Sequence, residues 1–412
     1  TTGSVTINFT NGDPLPASGI YTDASNVELD GPHGTDPLVT TATAAYLGSD
    51  EIRYLPGTTL TDNLSSDGGV YAVSGTNYLS DPAGDAVTVA TGATVLFNGS
   101  QTFSSLTIQA GATVRQISQD TTLGDTVLTV GSLTIDSPDA DGDNGGVLDL
   151  GNGDMIVQDT AASTIQPLLA AGYDGGAWDG LADSGPNPAS IISSGAANDP
   201  YQIESLGYAQ IGSDTGDGDL DLSTFDGKAV NSGDTVVELT YYGDANLDRT
   251  VNSTDEGMIG EYYPYTGTAI GGWTGGDFNY DGAIDGIDRF LFDNASAILT
   301  TIAAGSRPTI VITPTGPAEH RTQLPANTKT TAATITVSDG SPVAPCTVTS
   351  ITDGAGNSFS AGSITVGAPS DMGNGQYGVT LTVDGSALAP GSYIVTMSVG
   401  DLGTKGFILT VQ

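Results

Sequence analysis

Short apolar runs separated by Gly, Asn and Asp set the pattern of the middle of the chain. Between 88 and 157 they fall at 88–91, 92–97, 106–108, 111–114, 127–130, 133–135, 147–150 and 155–157. They are rich in Val, Ile, Leu and Thr and bounded by turn formers, which reads as strands. Gly-Ala-Thr-Val at 92–95 recurs 19 residues later, and Leu-Thr-Ile at 106–108 recurs after 27. Short strands at a repeating spacing predict a β-solenoid, with an ordinary β-sandwich of hairpins as the alternative. Residues 1–87 hold strand candidates at 5–9 and 70–73 and are expected to form first coils or a cap, because a solenoid's last coil is an open edge. Residues 158–240 are mixed. A helix is expected over 161–171 with Ile165, Leu168 and Leu169 on one face, then an aromatic turn at 172–180 and a strand at 236–242.

From 304 the pattern is alternating again, with seven strand candidates at 310–313, 334–337, 348–351, 364–366, 377–383, 393–399 and 406–411. That count predicts an immunoglobulin-like β-sandwich. The chain thus reads as mainly β in four parts: 1–87, 88–240 (solenoid-like), 241–303 and 304–412 (sandwich).

Charge changes the picture. There are 48 acids against 9 bases, a net −39, and 41 of the acids are Asp. An excess of the short carboxylate fits tight turns and hard cations, and repulsion from phosphates excludes a nucleic-acid partner. One cysteine, Cys346, excludes an intrachain disulfide framework and a thiolate zinc site. No apolar run approaches the ~18 residues of a membrane span. The polar start at Thr1 fits either a processed mature protein or a cytosolic one; few Lys, one Cys and many Thr, Gly and Asp lead to the expectation of a secreted, cell-surface protein whose signal peptide has been removed.

Against this Asp-rich background two twelve-residue stretches stand out. Residues 244–255 offer Asp244, Asn246, Asp248, the Thr250 carbonyl, Asn252 and Asp255 at positions 1, 3, 5, 7, 9 and 12. Residues 277–288 offer Asp277, Asn279, Asp281, the Ala283 carbonyl, Asp285 and Asp288. Oxygens at that spacing wrap one calcium ion, while Val251 and Ile284 at position 8 anchor each loop. Position 6, which wants a left-handed backbone, is Gly282 in the second loop but Arg249 in the first, so the first is expected to be the weaker site. Two further clusters, Asp139–Asp143 and Asp214–Asp221, are candidates for additional Ca2+.

This pair resembles the type I dockerin, with Asp at position 12. The resemblance covers about 242–300 and implies a helix after each loop, the second over about 286–299 with Ile287, Phe290, Leu291, Ala295 and Ile298 inward. It also implies a cohesin-like partner; a clasp between solenoid and sandwich is the other reading. The segments 148–157, 171–178, 206–209 and 241–248 are similar to large secreted planctomycete-type proteins, in which autotransporter-like β-strand repeats lead into a dockerin-like pair. That likeness spans about 90–300 and implies a cell-surface location.

Three functions are open at this point. The first is a non-enzymatic calcium-stiffened subunit of a filament, sheath or surface layer, polymerising with copies of itself, with residues 4–9 as the strand expected to reach a neighbour. The second is an adhesin or a cohesin- or glycan-binding protein, with Trp178, Trp273 and Tyr262, Tyr263 and Tyr265 as sugar-stacking candidates. The third is a β-helical polysaccharide-degrading enzyme. Within 1–240 the only Lys or Arg residues are Arg53, Arg115 and Lys228, with His33 in a turn, and Asp is too abundant for any pair to be singled out. No catalytic residue is assigned.

Overall fold

The computed structural model describes the backbones of seven strands between 27 and 79, then 85–89, 91–117, 126–140, 142–181, 185–212, 218–262, 272–303, 310–315, 328–337, 343 and 345–411. The expected strand at 5–9 lies outside these residues. The protein is mainly β, with several sheets and few helices. It divides into two compact units, Thr1–Leu181 with Pro186–Ala197 and Ser205–Thr240, and Ala182–Gly185 with Asn198–Glu204 and Tyr241–Gln412.

In the first unit, from Asp85 to Ile192, the strands alternate between two sheets, except that Leu133–Ile135 follows Val127–Val130 in the same one. Asp85–Val89, Gln101–Ile108, Val127–Val130 and Asp154–Val157 join one sheet; Thr94–Asn98, Thr113–Ile117, Val147–Asp149 and Ser190–Ile192 join the other. Neighbours in each sheet run parallel. The repeated tetrapeptide lies on itself, Thr94 opposite Thr113 and Val95 opposite Val114. Leu106, Thr107 and Ile108 likewise face Leu133, Thr134 and Ile135. The same parallel pairing extends upstream to Glu51–Tyr54 with Val70–Val73 and Thr59–Thr61 with Thr76–Leu79. At the downstream end Thr235–Tyr241 pairs antiparallel with Asp154–Val157 and closes the parallel series.

Alternate side chains of these strands fill the space inside. Val87, Val89, Val95, Phe97, Phe103, Leu106, Ile108, Val114, Leu128 and Val130 are all buried, and the Phe97 and Phe103 rings sit 4.9 Å apart. Register partners also meet by charge. Arg115 lies opposite Asp149 and donates to it at 2.8 Å. Buried Asp149 also accepts from the Gly151 and Ser194 N–H groups, so the carboxylate is fully engaged.

Helix α1, Ala162–Tyr173, buries Ile165, Leu169, Gly172 and Tyr173, while Leu168 is half-buried. It approaches the strand Ser190–Ile192 closely enough that a Cβ at Gly172 would lie 1.8 Å from the Ile191 carbonyl oxygen. Only glycine fits there. A second, one-turn helix, α2, spans Ser194–Asn198.

In the second unit, two antiparallel sheets enclose one core. The first contains Ile310–Thr315, Thr328–Val337, Ile364–Val366, Ser370–Gly373 and Gln376–Asp384. The second contains Cys346–Asp353, Ser358–Phe359, Gly391–Val399 and Thr404–Val411. Ile312, Ile335, Val379 and Leu381 meet Ile351, Val395, Met397 and Phe407 between them, and Cys346 is buried in the same cluster. All seven strands expected here are present; the short Ser358–Phe359 and Ser370–Gly373 had no apolar run to announce them. Among the described residues no helix is long and apolar enough to cross a membrane.

Candidate metal centre

The two Asp-rich loops open helices α3, Ser253–Tyr262, and α4, Gly286–Ala303. Asp255 and Asp288, the twelfth loop residues, fall in the first helical turns, where the helix dipole favours an anion. The loops repeat each other in backbone detail. Positions 4 and 6 are left-handed in both: Leu247 (φ 56°) and Arg249 (φ 60°), Tyr280 (φ 60°) and Gly282 (φ 81°). Position 6 was expected from the sequence; position 4 was not, since neither Leu nor Tyr signals that conformation.

Hydrogen bonds repeat as well. The Asp255 carboxylate accepts from the N–H groups of Ala245 (3.0 Å) and Asn252 (2.9 Å). The Asp288 carboxylate accepts from Phe278 (2.8 Å) and Asp285 (2.9 Å), the matching positions. Asp244 receives the Arg249 N–H at 2.7 Å and Asp277 the Gly282 N–H at 3.1 Å. Asp244, Asp255 and Asp288 are completely buried and Asp277 is 3% exposed. The anchor Ile284 is buried and Val251 half-buried.

Burial makes Asp255, Asp277, Asp285 and Asp288 costly to hold as anions. Burial, with Asp277 and Asp281 nearby, pushes Asp288 up to about 8; burial and the charge of Asp281 push Asp277 to about 7. Burial also raises Asp255 and Asp285. A cation would reverse that cost. Each loop holds one buried oxygen with no hydrogen-bond partner that a cation would satisfy: Asn246 Oδ1 at position 3 of the first and Asp277 Oδ1 at position 1 of the second. Asp248 and Asp281 are exposed at the rims, their carboxylates accepting from Thr250 and Ala283 N–H within the loop. As placed, no group of three or more His, Cys, Asp or Glu among the described residues converges into a metal cluster. Holding a cation would therefore require these rim carboxylates to turn inward. The residues that would hold it are the twelve named from the sequence: Asp244, Asn246, Asp248, Thr250, Asn252 and Asp255 in one loop, and Asp277, Asn279, Asp281, Ala283, Asp285 and Asp288 in the other.

Trp273 binds the two loops to each other. Its indole N–H donates to the Asp244 carbonyl at 2.7 Å. Its ring lies 4.9 Å from Phe278, edge-on, and 6.0 Å from Tyr280. Phe278 in turn is the residue whose N–H reaches Asp288. The tryptophan is completely buried, and Trp178 is 1% exposed, so neither presents a ring face to a sugar. Tyr263 and Tyr265 lie outside the described residues.

The weaker clusters are local turns where they can be seen. Asp139 accepts the Asp143 N–H at 3.0 Å, and Asp219 lies against Gly212; Asp141, Asp214 and Asp217 are outside the described residues. One acidic site had no sequence signal. Asp199 caps the turn after it by accepting from Tyr201, Ile203 and Glu204 N–H, and burial together with Asp199 lifts Glu204 to about 7.

Arg249→Gly removes a positive charge beside the first loop and a left-handed backbone strain of about 1–2 kcal/mol. We expect calcium affinity of that loop to rise by about tenfold in titration calorimetry, the equivalent of ~1.4 kcal/mol. Unchanged affinity would show that Arg249 does not weaken the site.

No family model, no curated protein and no solved structure matches this chain.

Proposed function

We propose that this chain is a non-enzymatic, extracellular, calcium-binding structural protein, a self-assembling subunit of a cell-surface filament, sheath or surface layer. The observation that carries the calcium reading is the duplicated loop, in which buried aspartates at positions 1 and 12 recur in one backbone geometry, each loop also holding one buried oxygen without a hydrogen-bond partner, Asn246 Oδ1 in the first and Asp277 Oδ1 in the second. The pair is read as dockerin-like, each loop taking one Ca2+ through five or more oxygens at ~2.3–2.6 Å.

The alternating parallel sheets are read as a β-solenoid and the two-sheet module as an immunoglobulin-like sandwich. Parallel strand series and open sheet edges support assembly, because strand addition uses main-chain groups and needs no special side chains. A head-to-tail contact that does not close gives a filament. The net charge of −39 opposes contact between copies, so calcium is required to screen or bridge them.

The test is calorimetry combined with electron microscopy of the purified chain in millimolar calcium. Expected are two ions bound per chain, tighter at 277–288 than at 244–255, and polymers that disappear in chelator. Absence of uptake sinks the calcium reading; a monomer at millimolar calcium sinks the assembly reading.

A further inference from the structure

The second loop does not stand by itself. Its tenth residue, Gly286, donates its N–H to the Gly354 carbonyl at 2.8 Å. Gly354 follows the strand Cys346–Asp353 and begins the turn into Ser358–Phe359. Two glycines therefore meet face to face. A Cβ at Gly286 would lie 2.6 Å from the Gly354 carbonyl oxygen, and one at Gly354 would lie 1.9 Å from Asp285 Oδ2. Both distances are far inside van der Waals contact, so neither position admits a side chain without displacing its neighbour.

The turn is stiff. Asp353 accepts from the Asn357 N–H at 2.7 Å and from its side-chain amide at 2.8 Å, and Gly356 N–H returns to the Asp353 carbonyl. One helical turn further on, Phe290 of α4 lies over Gly406 of the strand Thr404–Val411, where a Cβ would come within 2.8 Å of the ring. Two separate contacts thus join the loop and its helix to the same four-stranded sheet.

We infer that the second loop and the C-terminal two-sheet module form one calcium-linked unit, in which the Gly354 turn positions the ninth-position carboxylate, Asp285. This rests on the calcium reading above. Asp285 is held from two sides. Its own loop orients it through the Ile287 N–H at 2.7 Å, and the Gly354 backbone forms a wall against its carboxylate. Linkage is reciprocal: if the docked turn favours the filled loop, filling the loop favours the docked turn by the same factor. Gly354 is a positioning residue and supplies no ligand.

The experiment uses the full chain and calcium chloride alone. Titration calorimetry is run on the wild type and on Gly354→Ala, Phe290→Ala and Gly260→Ala. The last alters an α3 position where an added Cβ meets nothing within 4 Å. Hydrogen exchange over 346–359 is followed with calcium and with chelator. We expect Gly354→Ala and Phe290→Ala to weaken one of two sites by about tenfold or more, about 1.4 kcal/mol, and to leave the other unchanged. Calcium should slow exchange over 346–359 several-fold in the wild type and in Gly260→Ala, and not in the other two variants. If Gly354→Ala fails to fold, Phe290→Ala carries the test, because it deletes a contact and adds no atom. Two ions bound with wild-type affinity in both variants, or exchange over 346–359 indifferent to calcium, overturns the inference while leaving the calcium reading intact. No uptake by the wild type overturns both.

Discussion

In chelator, the loop-and-helix module loses stability as the pH is raised from about 5 to 8. Folded, Asp288 titrates near 8 and Asp277 near 7, whereas an unfolded aspartate titrates near 4. Between those limits the folded state holds more protons than the unfolded one, so raising the pH favours unfolding. The loss begins above the unfolded value and is complete once the pH passes the folded one. The raised Asp255 and Asp285 add in the same direction. With calcium the sign reverses, because the ion binds the ionised carboxylates and competes with protons, so affinity rises with pH over the same window. Limited proteolysis in chelator at pH 8 should therefore cut first between 243 and 300 and spare 330–412, which has its own core. At pH 5 the chelator should matter much less. First cuts inside 330–412, or chelated melting that ignores pH, would show that buried carboxylate charge does not govern the module.

Trp273→Ala should remove calcium uptake at both loops although it removes no ligand. The side chain is completely buried, and truncating such a tryptophan costs about 3–5 kcal/mol in lost contacts and cavity. It also leaves the Asp244 carbonyl without its indole donor. Trp273→Phe keeps a ring against Phe278 and Tyr280 and loses only that hydrogen bond, at about 1 kcal/mol. It should weaken the 244–255 loop and largely spare 277–288. Calorimetry in which the alanine variant still takes up two ions normally would show that the loops act independently of the aromatic cluster.

The parts of the fold that were legible share one physical cause. Where strands stack in parallel at fixed offset, residues that pack on one another are under the same constraint. Repeats such as Thr94-Val95 and Thr113-Val114 therefore predict their own register. The repeated backbone of the two loops was legible for a similar reason, since their turns and their hydrogen bonds are set within twelve residues. What escaped was set by distant neighbours. The helical pattern put Phe290 on the inner face of α4. It is half-buried against Gly406, while Phe292, unmentioned, is buried against Gly243. The strand Glu204–Gln210 interleaves its two large apolar residues, Leu206 and Tyr208, with Ser205, Gly207 and Ala209 and has no continuous run of large apolar residues, yet lies buried almost throughout. Trp273 was a sugar-stacking candidate although such an aromatic more often packs in a core, and nothing near Gly354 in sequence announces Gly286.

The parallel strands keep their register while the chain between them lengthens. Thr113–Ile117 faces Thr94–Asn98 with only the strand Gln101–Ile108 and its two turns between them, but Val147–Asp149 reaches its next partner, Ser190–Ile192, only after the whole of α1 and its aromatic turn have intervened as well. The cost of closing a flexible excursion grows only with the logarithm of its length, about 0.6 kcal/mol for each doubling. The stacked strands are thus a chassis whose connecting segments can be enlarged, exchanged or decorated while the pairing beneath is untouched. New outer surface can be acquired there at little expense to the interior, and the sequence between Asp149 and Ser190 is where this chain has already done so.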